Sequence, residues 1–121
     1  MRILGVIAKF FASAHISDTV ALAHGYNAYP GRSISVYPWS PGFGTRYSYP
    51  DPAERPYNDA YSVAFNPAGD TIAVGHNTSP RISAYPWSAG FGTKYADPAT
   101  VPSGTSYGVT FNPAGDTIAV G

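Results

Sequence analysis

The sequence predicts an all-β protein built from repeated four-stranded antiparallel sheets, on three observations. Ten residues occur twice, letter for letter: Asn66–Gly75 and Asn112–Gly121 both read NPAGDTIAVG. A second motif, YPWS, stands at Tyr37–Ser40 and again at Tyr85–Ser88, so the repetition reaches well beyond the first. The 121 residues include 13 Gly and 12 Pro but only 12% charged residues. That much punctuation suits short strands joined by many turns and leaves little room for helix.

Phe65 and Phe111 are 46 residues apart, and the two YPWS motifs 48. A period in the forties, made of strands, is the signature of a β-propeller blade. In chain order, residues 1–17 form an N-terminal arm or a divergent first strand. Met1-Arg2 ahead of ILGVIA and FFASA has the outline of a short secretory signal, ending in Ala12-Ser13-Ala14. Lys9 interrupts its apolar run, which argues against one. No run approaches the ~20 apolar residues of a membrane-spanning helix. Leu4–Phe10 reads as a first strand, with FASAHIS in place of a regular turn, or as a displaced arm.

Residues 18–50 are blade 1. Asp18–His24 matches Asp70–His76 as its second strand, Ser33–Tyr37 is the third and Phe43–Tyr47 the fourth. A proline-rich connection at residues 51–60 leads to blade 2, residues 61–98. There Ser62–Phe65 is the first strand. Pro67 presets φ for a turn, Gly69 supplies a left-handed residue, and Asp70 or Asn66 bonds the local backbone. Thr71–Gly75 is the second strand, rich in β-branched residues. HNTSP at His76–Pro80 connects to the third strand, Arg81–Tyr85; Trp87–Gly90 turns, and Phe91–Tyr95 is the fourth. After a connection at residues 99–106, residues 107–121 form one more hairpin, a half blade.

The strands carry one bulky face and one face of small residues. Val63 and Phe65 oppose Ser62 and Ala64; Ile72 and Val74 oppose Thr71 and Ala73. Neither face is strongly charged, as sheets stacked on neighbours at both sides require. The fourth strand carries Arg46 or Lys94 and a glycine, which suits an exposed outer edge. Pro38 and Pro86 end the third strand, where loss of a ladder donor is tolerable.

The order YSVAFNPAGDTIAVGHNTSPRISAYPWSAGFGTKY resembles a WD-repeat-type propeller blade. The YPWS and GFGT-[KR]-Y motifs resemble, more narrowly, WD-like repeats encoded by tailed bacteriophages and related environmental sequences, over Thr19–Gly121. The resemblance implies an interaction scaffold without shared catalysis, often in phage structural proteins, and hence a virion setting. No Trp-Asp or Gly-His pair closes each blade, so the WD repeat's Asp-His-Ser-Trp network does not carry over.

Two and a half blades cannot close a ring, which generally needs at least four. The expectation is a homo-oligomer whose chains complete one another head to tail, a trimer giving six blades. The alternative is a fragment of a longer array. The interface is expected at Tyr107, Val109, Phe111, Thr117, Ile118 and Val120 of the half blade and Ile3, Val6 and Ile7 of the N-terminal segment.

Seven basic residues balance seven acidic ones and there is no cysteine. No field recruits nucleic acid or anionic membrane, and disulfides and thiolate metal sites are excluded. His24 and His76 recur one blade apart without a carboxylate cluster, which favours blade packing over metal binding. No nucleophile–base frame or phosphate loop occurs, so neither an enzyme nor a cofactor is expected. Asn77-Thr78-Ser79 is a formal glycosylation sequon read here as a turn. The recurring Trp39, Trp87, Tyr47 and Tyr95 pack between blades or stack on sugars of a cell-surface glycan. Asp51, Glu54 and Arg55 form part of the one dense charge cluster, a candidate contact for a protein partner such as another virion component.

Overall fold

A computed structural model gives the fold of residues 12–16, 18–25, 33–56 and 58–121, with side chains from residue 18 onward. In it, β1 (Ala12–Ile16), β2 (Thr19–Ala23) and β3 (Ile34–Pro38) form one sheet, and β4 (Ala60–Phe65), β5 (Thr71–His76) and β6 (Ile82–Pro86) a second. The hairpin of β7 (Val109–Phe111) and β8 (Ile118–Val120) is the third. All pairings are antiparallel between strands consecutive in the chain. The all-β class and the repeated small sheets are those the sequence predicts.

The repeated turn is organised by asparagine. Asn66 Oδ1 accepts from the Asp70 and Thr71 amides, both at 3.0 Å, while its Nδ2 donates to Asp70 Oδ1 at 2.7 Å. Gly69, at φ +75°, donates its amide to the Asn66 carbonyl at 2.9 Å. Asn112, Gly115 and Asp116 repeat the arrangement almost to the tenth of an ångström. In that copy the Asn112 amide and the Thr117 hydroxyl hold the Asp116 carboxyl below its ordinary pKa.

In blade 1 the first strand differs from expectation. Ala12–Ile16 is a strand, not the substitute for a turn: Ile16 lies opposite Thr19, so two residues connect β1 to β2 where blade 2 uses the five of Asn66–Asp70. Leu4–Phe10 lies outside the described residues. From Thr19 onward the register repeats that of blade 2, with Thr19 opposite Pro38 as Thr71 is opposite Pro86.

The fourth strand expected in each blade does not form a ladder: both blade sheets are three-stranded, and the Phe43–Tyr47 and Phe91–Tyr95 segments are held only by an isolated bridge and a few backbone bonds, the proline that ends the third strand having no amide to donate. Trp87 bridges Phe91, and the Gly92 and Tyr95 amides donate to the Pro86 and Ala84 carbonyls at 2.8 and 2.9 Å. In blade 1, Trp39 bridges Phe43, and Gly44 and Tyr47 bond Pro38 and Val36 at 2.9 Å each. The glycine is dictated by the proline opposite: a Cβ on Gly92 would stand 3.0 Å from Pro86 Cβ, and one on Gly44 3.1 Å from Pro38 Cβ. Such separations are tighter than side chains tolerate without local movement.

The sheets stack small face on bulky face. The core joins Ala21, Ala23, Ile34 and Val36 of blade 1 to Val63, Ile72, Val74, Tyr85 and Trp87 of blade 2. Backbone bonds sew the junctions at equivalent places, Ala60 N to His24 O at 3.3 Å and Ser106 N to His76 O at 3.2 Å. Ala60 and Ala23 are fully buried at the first junction. At the second, Gly75 takes the place of Ala23, and a Cβ there would meet Ser62 Oγ at 2.5 Å and Ser106 O at 3.0 Å. The half blade also nests its turn on blade 2, Gly115 receiving the Pro67 ring.

Candidate protein-interaction surfaces

Each blade builds the same aromatic cluster locally. Tyr37 and Trp39 meet Phe43 edge-on at 5.2 and 5.1 Å, and Tyr85 and Trp87 meet Phe91 at the same distances. What differs is the cover. Trp87 is 5% exposed because Tyr47 of blade 1 and Phe65 close over it, at 5.1 and 5.7 Å. Its ring is enclosed by protein and offers no face to a sugar. Trp39 is half-buried and Phe43 is 61% exposed, since nothing among the described residues plays for blade 1 the part that blade 1 plays for blade 2. Tyr95, the counterpart of Tyr47, is also exposed.

The acidic and basic residues of the first connection serve the connection itself. Asp51 Oδ1 accepts from the Ala53 amide at 2.9 Å and caps a turn of 3-10 helix at Pro52–Glu54 that the sequence reading did not foresee. Glu54 stitches this turn to blade 2: its Oε2 accepts from the Lys94 amide at 3.1 Å, and its carbonyl accepts from the Tyr85 hydroxyl. Burial raises the Tyr85 hydroxyl above the usual phenol range. Arg55 Nε donates to Pro50 O at 2.7 Å, and its guanidinium lies 5.4 Å from the Tyr49 ring, which also carries Arg46 at 4.0 Å. The cluster is thus held by contacts of its own rather than by a shared outward geometry.

The two repeated histidines, which the sequence assigns to blade packing rather than metal binding, occupy matched sites. His24 Nε2 and His76 Nε2 each lie 3.0 Å from a serine hydroxyl on the neighbouring strand, Ser35 and Ser83. His76 is 1% exposed, and burial pushes its pKa down to about 4. The signal was present as H-x₁₀-S and H-x₆-S, but the pairing depends on the strand register. The Asp and Trp of each blade meet through backbone, the Trp39 and Trp87 amides donating to Asp18 and Asp70 carbonyls at 2.7 and 2.8 Å. Among the described residues, no group of three or more His, Asp or Glu is placed to hold a metal ion.

The half blade presents two different sides. Val109, Phe111 and Val120 are half-buried on the side of blade 2, and Tyr107 lays its 67%-exposed ring 5.1 Å from Tyr61. A cleft of 580 Å³ separates Phe65 and Pro67 from Phe111 and Pro113. Of the residues expected at an interface between chains, Val109, Phe111 and Val120 are thus half-buried beside blade 2, although Ile118 of the same face is 38% exposed. Thr117 and Ile118 are exposed, as are Gly108, Thr110, Ala119 and Gly121. Ile3, Val6 and Ile7 lie outside the described residues.

No protein-family model matches the chain. No curated protein matches it either. Among solved structures, a chain in the crystal structure of the mitotic checkpoint complex matches 91% of this chain at 18% identity, with a TM-score of 0.64. The present chain spans 33% of the length of that one. Identity at this level speaks to the fold, and the stacked antiparallel blades described above are what the two share. The fold is that of consecutive β-propeller blades.

Proposed function

We propose that this chain is a non-enzymatic interaction scaffold whose propeller is completed by several copies. One observation carries the reading: among the described residues blade 2 is covered on both sides, whereas Phe43 of blade 1 is 61% exposed, Trp39 is less buried than Trp87, and the far face of the half blade is exposed. Sheets of this composition hold together by burying such faces, at roughly 25 cal/mol per Å² of apolar surface. Three copies, each giving two blade equivalents, would make six blades. A virion setting rests on the resemblance of the YPWS and GFGT repeats alone. Protein partners are favoured by the likeness to a propeller that works inside a protein complex. The glycan reading has less support, because Trp87 is enclosed and Trp39 and Tyr95 stand on different blades. Sedimentation velocity on the 121-residue chain tests the proposal. A concentration-dependent, discrete oligomer is expected, and a monomer at every concentration refutes it.

A further inference from the structure

The fourth-segment cation of each blade meets a different neighbour. Arg46 and Lys94 hold the same place in the two GFGT-[KR]-Y motifs. Lys94 forms a salt bridge with Asp97, three residues further on. In blade 1 the residue three places on is Tyr49, which carries no charge, and the Arg46 guanidinium lies 4.0 Å from its ring centroid. A second cation attends the same ring: the Arg55 guanidinium is 5.4 Å from the centroid. Where blade 2 neutralises one charge, blade 1 therefore gathers two. All seven carboxylate side chains of the chain belong to the described residues, and the Lys94–Asp97 pair is the only salt bridge among those residues. The two acids nearest in sequence are engaged elsewhere, Asp51 Oδ1 by the Ala53 amide and Glu54 Oε2 by the Lys94 amide.

We infer that Arg46, Tyr49 and Arg55 form a binding site for a phosphoryl group, beside the connection between blades 1 and 2. The site is built by one chain, so it stands whether or not copies assemble. Like charges gathered on one ring repel, and an anion set between them turns that repulsion into attraction. Each guanidinium spends one N–H on backbone, Arg46 Nη1 on Tyr47 O at 3.1 Å and Arg55 Nε on Pro50 O at 2.7 Å, which leaves most of each fork for a ligand. The two guanidinium centres are separated by no more than their two ring distances combined, and Arg46 is exposed and able to swing toward its neighbour. The backbone beneath is fixed in advance. Pro50 and Pro56 are fully buried, and Glu54 ties the 3-10 turn between them to Tyr85 and Lys94, so little is left to order on binding. Two forks and two positive charges suit a phosphoryl group, which carries three acceptor oxygens and about two negative charges at neutral pH; a carboxylate is satisfied by a single fork.

NMR of the arginine Nε–Hε groups, on the whole 121-residue chain at constant ionic strength, reads the site. Two probes carry the phosphoryl group, inorganic phosphate and a short phosphoserine peptide; the same peptide with glutamate at that position carries a carboxylate instead. Saturable shifts of the Arg46 and Arg55 signals are expected with the phosphate probes, and the tighter of the two identifies the source as free phosphate or a phosphorylated side chain. Arg46→Gln should weaken that affinity about tenfold. Arg55→Lys, which keeps the charge and loses the fork, should weaken it by a similar factor. Urea midpoints confirm that both variants fold. Lys94→Gln alters the cation that is already paired and should leave the affinity unchanged. The inference is overturned if neither phosphate probe gives a saturable shift, if the glutamate peptide binds as tightly as the phosphoserine peptide, or if Arg46→Gln and Arg55→Lys bind as the native chain does.

Discussion

Acidification provides a direct measure of how far His76 is removed from water. Its imidazole is 1% exposed, bonded through Nε2 to Ser83, and burial holds its pKa near 4 against an ordinary 6.5. The backbone of Thr78 and the Asp97 carboxylate act in the opposite sense, and Lys94 and Arg81 reinforce the lowering. A base whose folded pKa is depressed binds its proton more readily when unfolded, so stability rises with pH. The contribution is complete above pH 6.5 and is lost as the pH falls toward 4. Between about pH 7.5 and about pH 4.5, linkage gives a loss of about 2 to 3 kcal/mol from this one residue. Carboxylates also titrate in this range, so the quantity to measure is a difference: urea unfolding of the native chain minus that of His76→Asn, at both pH values. The native chain should lose about 2 to 3 kcal/mol more than the variant. Parallel pH profiles for the two proteins would refute the claim that His76 is buried in its neutral form.

Trp87→Ala should cost about 4 kcal/mol, since it empties a closed aromatic site, and Trp39→Ala about 1 to 2 kcal/mol, both read by urea unfolding of the dilute chain. Equal losses would contradict the difference in cover between the blades. Asn66→Ala removes three side-chain hydrogen bonds of the turn and should destabilise by about 1 to 2 kcal/mol, whereas Pro67→Ala in the same turn should cost less by the same assay. Gly92→Ala should lower the urea midpoint by an amount equivalent to about 1 to 3 kcal/mol through the clash with Pro86; an unchanged midpoint would show that the fourth strand simply yields. On a glycan array, the native chain should bind no sugar above background, and binding abolished by Trp39→Ala would restore the glycan reading.

Much of this architecture was legible because the sequence states it twice. NPAGDTIAVG announced its turn through Pro67 and Gly69, and the alternation of Val63 and Phe65 with Ser62 and Ala64 announced a sheet buried on both faces. The first strand of blade 1 was missed because its turn has lost three residues, so Ala12–Ile16 resembled a loop motif, while Leu4–Phe10 showed the stronger apolar pattern. The expected interface between chains takes in Tyr107, Val109, Phe111, Thr117, Ile118 and Val120 of the half blade, with Ile3, Val6 and Ile7 outside the described residues. Of these, Val109, Phe111 and Val120 are half-buried on the side of blade 2, whereas Tyr107, Thr117 and Ile118 are exposed together with glycine, alanine and threonine of the far face, which hydrophobicity alone does not single out. Glu54 and Tyr85 stand 31 residues apart in sequence, and no local pattern could join them. Nor does a His–Ser spacing reveal a pair until the register across β5 and β6 is known.

The identical decapeptides also set a problem for the folding chain. Thr71–Gly75 and Thr117–Gly121 offer β6 indistinguishable partners, so side-chain preference cannot select between them. The choice falls to the length of the closing segment: Asn77–Arg81 brings β5 to β6 across five residues, whereas β8 would have to return over the 31 residues 87–117. A longer loop carries a higher entropic cost, and the shorter closure also forms sooner. Where two chains meet before either closure is made, that advantage disappears. Concentrated refolding should then yield dimers that have exchanged hairpins between copies, a kinetic product separate from any equilibrium assembly of finished blades.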